Sequence, residues 1–216
     1  MPAMIEEAGV SKDAKEKKGK KIVKRKTVDK WKKKKWFTLI APDFFDKQIL
    51  GETPAEEDEM VRNRVIRLSA AEVTKQPKFG HVSLSFKVNG VSGQKAQTIF
   101  VGHEMQEGYI RRLVRRRSSK ITVVQTVTTK TGEKLRVKAV AFTNRKATGP
   151  QETEIRKRME KEMADAAQKK EFGQFVQELI FGNASSGLFK VIKPIIPIKR
   201  VEIQKSQLIE EKNKAG

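Results

Sequence analysis

The feature that most constrains the fold of this chain is the run of positive charge over residues 11–35. These 25 residues hold fourteen Lys or Arg and three acids, a net charge of +11. Such a segment repels itself and has little apolar area to bury, so it cannot collapse on its own. We therefore expect residues 1–35 to be a disordered basic N-terminal arm that orders on a polyanion. The folded chain should begin near Trp36.

Two alternatives to a polyanion-binding arm are a solvated tail without function and an amphipathic helix lying on a membrane. The membrane helix needs a sustained apolar stripe, which Ile22, Val23 and Val28 do not supply. The solvated tail stays open as the weaker alternative.

Positive charge also dominates the whole chain of 216 residues, with 47 Lys or Arg, 26 Asp or Glu and a formal net charge of +21. The length fits one domain with extensions or two small domains. A field of this sign concentrates polyanions, so RNA, DNA and anionic membranes are the candidate partners. No apolar run is long enough to span a bilayer. Residues 1–10 lack the pattern of a signal peptide, so we expect an intracellular protein.

The inventory of catalytic side chains is small. The chain has no cysteine, which excludes disulfides, thiolate nucleophiles and thiolate zinc sites. The two histidines, His81 and His103, match no metal-binding spacing, and His81 falls on the polar face of a predicted strand. No glycine-rich phosphate loop is present. We expect no catalytic residue, no metal and no cofactor, so an enzyme is the least favoured class of function.

Alternating apolar residues predict a β-rich core over residues 36–148, interrupted by one helix. The predicted strands are Trp36–Ala41, the run of Val82, Leu84, Phe86 and Val88, residues 95–102, and two strands around Ile121–Val127 and Leu135–Ala141. The predicted connections are a polar acidic loop at residues 51–60, a turn at Asn89-Gly90 and a hairpin loop at residues 129–133.

Helical spacing dominates residues 149–216. Thr148 and Gln151 have the spacing of a capping box. Apolar stripes follow at Ile155, Met159, Met163 and Ala166, and then at Phe172, Phe175, Val176, Leu179 and Ile180, ended by Gly182. Core packing is the favoured role for these stripes, with docking of a neighbouring protein as the alternative. Residues 195–205 return to a strand pattern whose parity shift predicts a bulge or a strand edge near Lys199-Arg200. Strands followed by helices indicate an α+β fold that packs the helical part on the core.

The helix predicted within the β-rich core, residues 105–117, is rich in arginine. Arg111, Arg112, Arg115 and Arg116 would share the face opposite Leu113 and Val114. A solvated helix face normally mixes charge signs, yet no acid lies between Gly108 and Glu133. Arginine suits bidentate contact with phosphate. An RNA-binding face is therefore favoured over a solvated one.

Aromatic residues are interleaved with the basic run at Lys30–Phe37. Trp36 and Phe37 are more simply explained as the first core residues, whereas an RNA or protein contact is favoured for Trp31. The candidate RNA-binding residues are Lys20, Lys21, Lys24, Arg25, Lys26, Lys30, Trp31, Lys32, Lys33, Lys34, Lys35, Arg111, Arg112, Arg115, Arg116, Arg117, Lys120, Arg145 and Lys146.

Several of these stretches, in this order, resemble the archaeal and eukaryotic small-subunit ribosomal protein family called S-one-e or S-three-A-e. The resemblance covers nearly the whole folded chain, and no single stretch is diagnostic. It rests on Lys35–Pro42, Val65–Leu68 with Ala71–Val73, Gly102–Met105 with the Arg-rich segment, the Thr-Gly hairpin, Val140–Asn144, Gln151–Lys157 and Pro194–Arg200.

The resemblance implies a β-barrel-like antiparallel or mixed sheet with flanking and C-terminal helices. It implies a cytoplasmic protein of the ribosome, on the platform of the small subunit near the mRNA exit. The implied partners are small-subunit rRNA near its 3′ end and neighbouring platform proteins, with mRNA as a further candidate and no homo-oligomer. The short C-terminus looks archaeal. Composition alone leaves open a free nucleic-acid-binding protein, such as a chromatin protein or an RNA chaperone.

Overall fold

The computed structural model describes residues 30–209, and the disordered arm expected at the N-terminus lies largely outside this range. Residues 30–33 belong to a different compact unit from residues 34–209 and are described separately. They form one short 3-10 helix, Lys30–Lys33.

Residues 34–209 form an α+β fold, as the sequence predicts, with eight strands and five α-helices. The strands are β1 (Lys35–Ile40), β2 (Ile49–Ala55), β3 (Val65–Ser69), β4 (Val82–Ser92), β5 (Lys95–Met105), β6 (Lys120–Thr128), β7 (Lys134–Thr143) and β8 (Ile198–Ile209). The helices are α1 (Ala70–Thr74), α2 (Glu107–Leu113), α3 (Gly149–Lys169), α4 (Phe172–Phe181) and α5 (Asn183–Ile192). Short 3-10 helices lie at Asp43–Phe45, Asp58–Met60 and Pro77–Phe79.

The sheet is mixed and does not close, so the expected barrel-like core is wrong. Its main strand order is β2-β1-β5-β8-β7-β6, with β4 and β3 as a branch from β5. The branch arises because two strands share one side of β5. Lys95–Gln97 pair in parallel with β1, whereas Gly102–Glu104 pair in an antiparallel manner with β8. Within the described chain β2, β3 and β6 each have one strand neighbour, which leaves the sheet open.

The turn between β4 and β5, at Gly93-Gln94, lies four residues beyond the predicted one. Asn89 is the extra residue of a bulge, because Val88 pairs with Thr98 and Gly90 with Gln97. Pairing then resumes as far as Ser92 and Lys95, and the chain reverses at Gly93, whose φ is +61°. The longer hairpin is held by β1, since the Thr38 N–H donates to the Gln94 carbonyl at 2.8 Å.

Residues 51–60 are not wholly the loop that their acidic composition suggests. Residues 51–55 belong to β2, which pairs with β1. Arg64 stabilises the connection that follows, because its guanidinium donates to the Thr53 hydroxyl and, at 3.3 Å, to the Met60 carbonyl.

The helical C-terminal part begins as predicted. Thr148 and Gln151 form a reciprocal capping box at the start of α3, and the Thr148 N–H donates to Gln151 Oε1 at 3.1 Å. Ile155, Met159 and Met163 on α3 are buried in one cluster with residues of β6, β7 and β8. The core role assigned to the Met stripe is therefore confirmed.

The second stripe forms α4, which ends at Gly182 in the left-handed conformation. Val176 and Ile180 are buried with Phe86 and Phe100 of the sheet. The α5 helix was not predicted as a separate element. Its Leu188 and Ile192 are buried in the cluster under α3. Among the helices of residues 30–209, none is long and apolar enough to cross a membrane.

The bulge predicted in the last strand is confirmed. Thr143 pairs with Ile198 and Phe142 with Arg200, so Lys199 is the extra residue. The bulge turns both basic side chains, Lys199 and Arg200, to the surface.

Candidate nucleic-acid interface

The Arg-rich helix is shorter than the sequence suggests. Met105 still pairs with Val82 in the sheet, and α2 covers only Glu107–Leu113. Val114 is extended, with ψ at 131°. Only Arg111 and Arg112 are therefore helical. The prediction that Arg115 and Arg116 share their helix face is wrong, because the chain must leave α2 to enter β6 at Lys120.

Arg115, Arg116 and Arg117 lie instead in an exposed loop with a defined backbone. The Ser118 hydroxyl donates to the Arg115 carbonyl at 2.6 Å, which closes the loop. Arg117 has a φ of +62°, in the left-handed region that non-glycine residues seldom adopt. All three consecutive side chains are exposed on this loop.

A hydrogen-bonded junction between Ser119 and Thr143 joins this loop to the end of β7. The Ser119 N–H donates to Thr143 Oγ1 at 2.8 Å, and the Thr143 N–H donates to the Ser119 carbonyl at 3.1 Å. Thr143 Oγ1 also lies 2.6 Å from the Arg145 carbonyl, and the Ala147 N–H donates to Ser119 Oγ at 3.1 Å. The junction therefore brings together two separate candidate segments, Arg115–Lys120 and Arg145-Lys146.

The bulge of β8 adds two basic residues that were not among the candidates. The Asn144 N–H donates to the Pro197 carbonyl at 2.9 Å, which places the start of β8 beside the Arg145-Lys146 segment. Lys199 and Arg200 follow and are both exposed. The predicted bulge was the signal that could have identified them. We call the basic surface the set Arg111, Arg112, Arg115, Arg116, Arg117, Lys120, Arg145, Lys146, Lys199 and Arg200.

Two partly buried rings lie at the edge of the basic surface. His81, which precedes β4 rather than lying within it, stacks on Tyr109 of α2 with ring centroids 4.0 Å apart. The Arg200 guanidinium lies 5.8 Å from the centre of the Tyr109 ring. The Glu202 carboxylate accepts hydrogen bonds from Tyr109 Oη at 3.1 Å and from Arg200 Nε. This buried acid therefore orients an arginine and a tyrosine.

The charges of this cluster act on both rings. Burial lowers the pKa of His81 below 6.5, and Arg200 and Arg112 lower it further, whereas Glu202 opposes the change. Burial also raises the pKa of Tyr109 above 10.0, with Glu202 adding to the rise. Both rings are thus neutral near neutral pH, which suits stacking rather than proton transfer.

The guanidinium groups of the α2 helix and of the loop that follows it are available to a ligand. Arg111 pairs with Glu107 at 2.9 Å, but the two side chains are 80% and 76% exposed. An ion pair this exposed contributes little, so a phosphate could replace the carboxylate. Arg112, Arg115, Arg116 and Arg117 are exposed as well.

The candidates of the N-terminal segment are only partly described. Lys20, Lys21, Lys24, Arg25 and Lys26 lie outside the described residues, as does the side chain of Lys30. Trp31 is 63% exposed, and Lys32 and Lys33 are exposed. Lys35, the first residue of β1, is exposed, and Lys34 just before it is half-buried. Phe37 is buried in the core, as the sequence analysis favoured. Trp36 is 57% exposed, so the same expectation is wrong for it.

His103 has a structural environment rather than that of a ligand or catalyst. It is buried on β5, where Nε2 lies 3.1 Å from the Ile203 carbonyl and Nδ1 lies 2.6 Å from Ser206 Oγ. The carbonyl can only accept, so Nε2 carries the proton and Nδ1 accepts from the serine. Within residues 30–209 no three His, Cys, Asp or Glu side chains converge as a metal site requires.

Comparison with known proteins identifies the family. The model of the Ribosomal S3Ae family matches residues 22–212. The chain belongs to this family. The resemblance inferred from the sequence is thereby confirmed, and the S3Ae family consists of structural ribosomal proteins rather than enzymes. Its match includes all of the basic surface and, in the N-terminal segment, every candidate except Lys20 and Lys21.

Archaeal S3Ae relatives named "Small ribosomal subunit protein eS1" align with most of the chain. The protein from Sulfurisphaera tokodaii is 42% identical over 182 residues, which are 84% of this chain and 94% of that protein. That from Archaeoglobus fulgidus is 42% identical over 185 residues, 85% of this chain and 88% of its own. The protein from Methanococcus vannielii is 37% identical over 193 residues, which are 89% of this chain and 86% of that protein.

Proposed function

We propose that this protein is a structural constituent of the small ribosomal subunit and binds small-subunit rRNA through the basic surface. Membership of the S3Ae family and the names of the archaeal relatives support the assignment to the subunit. The observation that carries the binding site is the Ser119–Thr143 junction. It holds two arginine- and lysine-bearing segments side by side, and no acid interrupts the sequence between Gly108 and Glu133.

The basic surface suits the backbone of folded RNA. Its loops have fixed main chains, whereas their side chains end in planar guanidinium groups that can each contact two phosphate oxygens. Neutralising several phosphates releases counterions, which supplies most of the affinity and makes it depend on salt. The half-buried Tyr109 and His81 rings offer a place for an unpaired base beside these contacts.

The basic N-terminal segment supplies further phosphate contacts in this proposal. Residues 1–35 act as an arm that orders on rRNA, through Lys20, Lys21, Lys24, Arg25, Lys26 and Lys30–Lys35, with Trp31 as a stacking or protein contact. Residues 36–148 are the β-rich core, and the described part of residues 149–216, as far as Ile209, packs on it. The burial of Val176 and Ile180 against Phe86 and Phe100 supports that packing.

The family resemblance suggests where the protein sits. We place it in the cytoplasmic ribosome, on the platform near the mRNA exit, beside the 3′ end of the small-subunit rRNA and neighbouring platform proteins, with mRNA within reach. Sucrose-gradient sedimentation of cell extract tests the assignment. The protein should migrate with the small subunit through about 0.5 M salt, because assembly into the subunit adds contacts with neighbouring proteins and rRNA to the salt-sensitive phosphate contacts. A chromatin protein or a free RNA chaperone would leave the subunit fraction under these conditions.

Crosslinking within purified small subunits tests the position. Ultraviolet crosslinks from the basic surface should map to rRNA near its 3′ end. Crosslinks confined to other regions of the rRNA would contradict the platform position without contradicting membership of the subunit.

A further inference from the structure

A groove with apolar side chains in its lining has Arg200 on its rim, and none of Arg115, Arg116 and Arg117 lines it. It has a volume of about 630 Å³ and is bounded by the Pro77–Phe79 turn, the end of α4, α5 and the start of β8. Its floor contains Phe79, Met105, Leu179, Ile180, Phe181 and Val201. The groove is large enough to receive one or two bulky side chains.

The floor of this groove still exposes apolar surface. Phe181, at the end of α4, is 37% exposed, and its ring meets that of Phe79 edge-on with centroids 5.4 Å apart. Phe189 of α5 is also partly exposed along the same groove. An apolar side chain placed against these rings would leave water and gain contact on several sides.

The rim is positively charged. Lys78, Lys190, Lys193, Lys199 and Arg200 line the groove and are all exposed, and they come from three separate parts of the chain. Glu202 is the one carboxylate among the described lining residues, and it is buried and already accepts hydrogen bonds from Arg200 and Tyr109. Arg200 is therefore partly compensated by Glu202, and the other four cations of the rim face an incoming ligand without a carboxylate among the described lining residues.

We propose that this groove is a docking site for an acidic peptide segment of a partner protein, anchored by an aromatic or aliphatic side chain. The cations around the rim complement carboxylates that flank the anchor, and the floor accepts the anchor itself. An anchor desolvated in a pocket and surrounded by charge pairs is the usual arrangement of a small protein–protein contact.

The composition of the floor favours a peptide over RNA. A nucleobase carries donors and acceptors along its edge, and burying them without partners is costly. Eight of the lining side chains are apolar, the hydroxyl of Ser186 already donates to the Gly182 carbonyl at 3.0 Å, and the His81 ring is stacked on Tyr109. An apolar side chain leaves no such group unpaired. Lys199 and Arg200 belong both to this rim and to the basic surface, so the groove is tested at residues outside the basic surface.

The test uses the full-length protein and a fluorescein-labelled 12-residue peptide of Asp and Glu with a central Leu-Phe pair. Fluorescence anisotropy at about 0.15 M salt should show binding. A second peptide, with Ser-Ser in place of Leu-Phe, should bind at least about tenfold more weakly, because it has the charge but not the anchor. Equal binding of the two peptides would mean nonspecific attraction to a basic protein and would overturn the proposal.

Two groove variants locate the site. The Lys190→Glu/Lys193→Glu protein reverses charge on one wall, and Ser186→Trp fills the groove without changing charge. Each variant should weaken binding of the Leu-Phe peptide by about tenfold or more. Lys157→Glu/Lys161→Glu, on the exposed side of α3, is the matched charge control and should change binding less than about twofold. Circular dichroism checks that every variant is folded.

Three other results would overturn the proposal. The first is binding that none of the groove variants changes, and the second is no binding at all. The third is evidence that another molecule, either RNA or a second copy of this chain, occupies the groove. If single-stranded oligouridine binds, and the same variants abolish that binding, the groove is an RNA site. If the protein self-associates in sedimentation and Ser186→Trp prevents it, the occupant is a second copy of this chain.

Discussion

Gly102 on β5 lies directly against the backbone of Ser206 on β8, so that a β-carbon built on Gly102 would stand 2.2 Å from the Ser206 carbonyl oxygen. A contact between backbone atoms cannot be relieved by rotating a side chain. We therefore expect Gly102→Ala to push β8 away from β5 and to lower the free energy of unfolding by about 2–4 kcal/mol. Urea denaturation followed by circular dichroism measures this change.

Gly108→Ala is the matched control for this substitution. Gly108 is in α2 and has no atom within 4 Å of an added β-carbon. Because alanine favours the helix, this variant should be as stable as the parent or more stable, by up to about 1 kcal/mol. If both variants have the stability of the parent, β5 and β8 are not in close contact.

The buried His103 should make the stability depend on pH. Burial lowers its pKa from 6.5 to about 4, and its two ring nitrogens are already occupied by Ile203 and Ser206. Between these pKa values the unfolded chain binds a proton that the folded protein does not, so stability falls as the pH falls. From pH 7.5 to pH 5 the loss should be about 2 kcal/mol.

Comparison with His103→Gln isolates this contribution. The variant should be less stable at pH 7.5, because it loses the paired ring, but should lose less stability than the parent on going to pH 5. The difference between the two urea-denaturation series cancels the carboxylates that both proteins share. Parallel pH profiles for the two proteins would exclude His103 as the cause.

The sequence alone reveals the elements whose signals are local. The parity of Val82, Leu84, Phe86 and Val88 predicted a strand, and the capping box at Thr148 predicted the start of a helix. The shift of parity before Val201 even predicted the bulge at Lys199. Each of these patterns depends on near neighbours in the chain, and the structure follows it.

The predictions from the sequence failed where contacts between residues far apart in the chain decided the conformation. Asn89-Gly90 has the sequence of a tight turn, but β1 pairs with the start of β5 and extends the hairpin beyond it. Met105 and Val114 continue the helical spacing of α2, yet Met105 is held extended by its pairing with Val82, and Val114 is extended where the chain leaves the helix. The Ser119–Thr143 junction spans 24 residues, so no local pattern could show that Arg115 and Arg145 belong to one surface.

Thr143→Val tests that junction. The substitution preserves the shape of a fully buried side chain but removes the oxygen that accepts from the Ser119 N–H. We expect a loss of about 1–3 kcal/mol in the free energy of unfolding, since a buried donor is left without a partner. Binding of an rRNA fragment should also weaken, because the two basic segments are no longer held together.

Thr126→Val serves as the control for the junction, since Thr126 is exposed on β6. It should leave both stability and RNA binding nearly unchanged. Should Thr143→Val lose stability but retain full affinity for RNA, the junction would be structural only, and the proposed surface would not depend on it.

The arginine loop should contribute to affinity without contributing to the fold. Arg115, Arg116 and Arg117 are exposed, so Glu at all three positions should leave the circular dichroism spectrum unchanged. Filter binding to a small-subunit rRNA fragment should weaken by at least about tenfold at about 0.15 M salt, because attraction to phosphate becomes repulsion. Lys157, Lys161 and Lys169 of α3, changed together to Glu, give the same change of net charge away from the basic surface. An equal loss of affinity in that control would show that only net charge matters.

The last prediction concerns the basic N-terminal segment and the salt dependence of binding. The slope of log K against log salt counts neutralised phosphates, at about −0.7 to −0.9 per contact. Residues 11–33 hold twelve Lys or Arg, and they precede β1, which starts at Lys35. If half of them touch phosphate, deleting residues 1–33 should flatten the slope by about 5 units.

The truncated protein should fold, because β1 keeps its pairing with β2 and β5. It should still bind more weakly through the basic surface. Salt titrations of both proteins on one rRNA fragment measure the difference, and equal slopes would show that the segment is a passive tail.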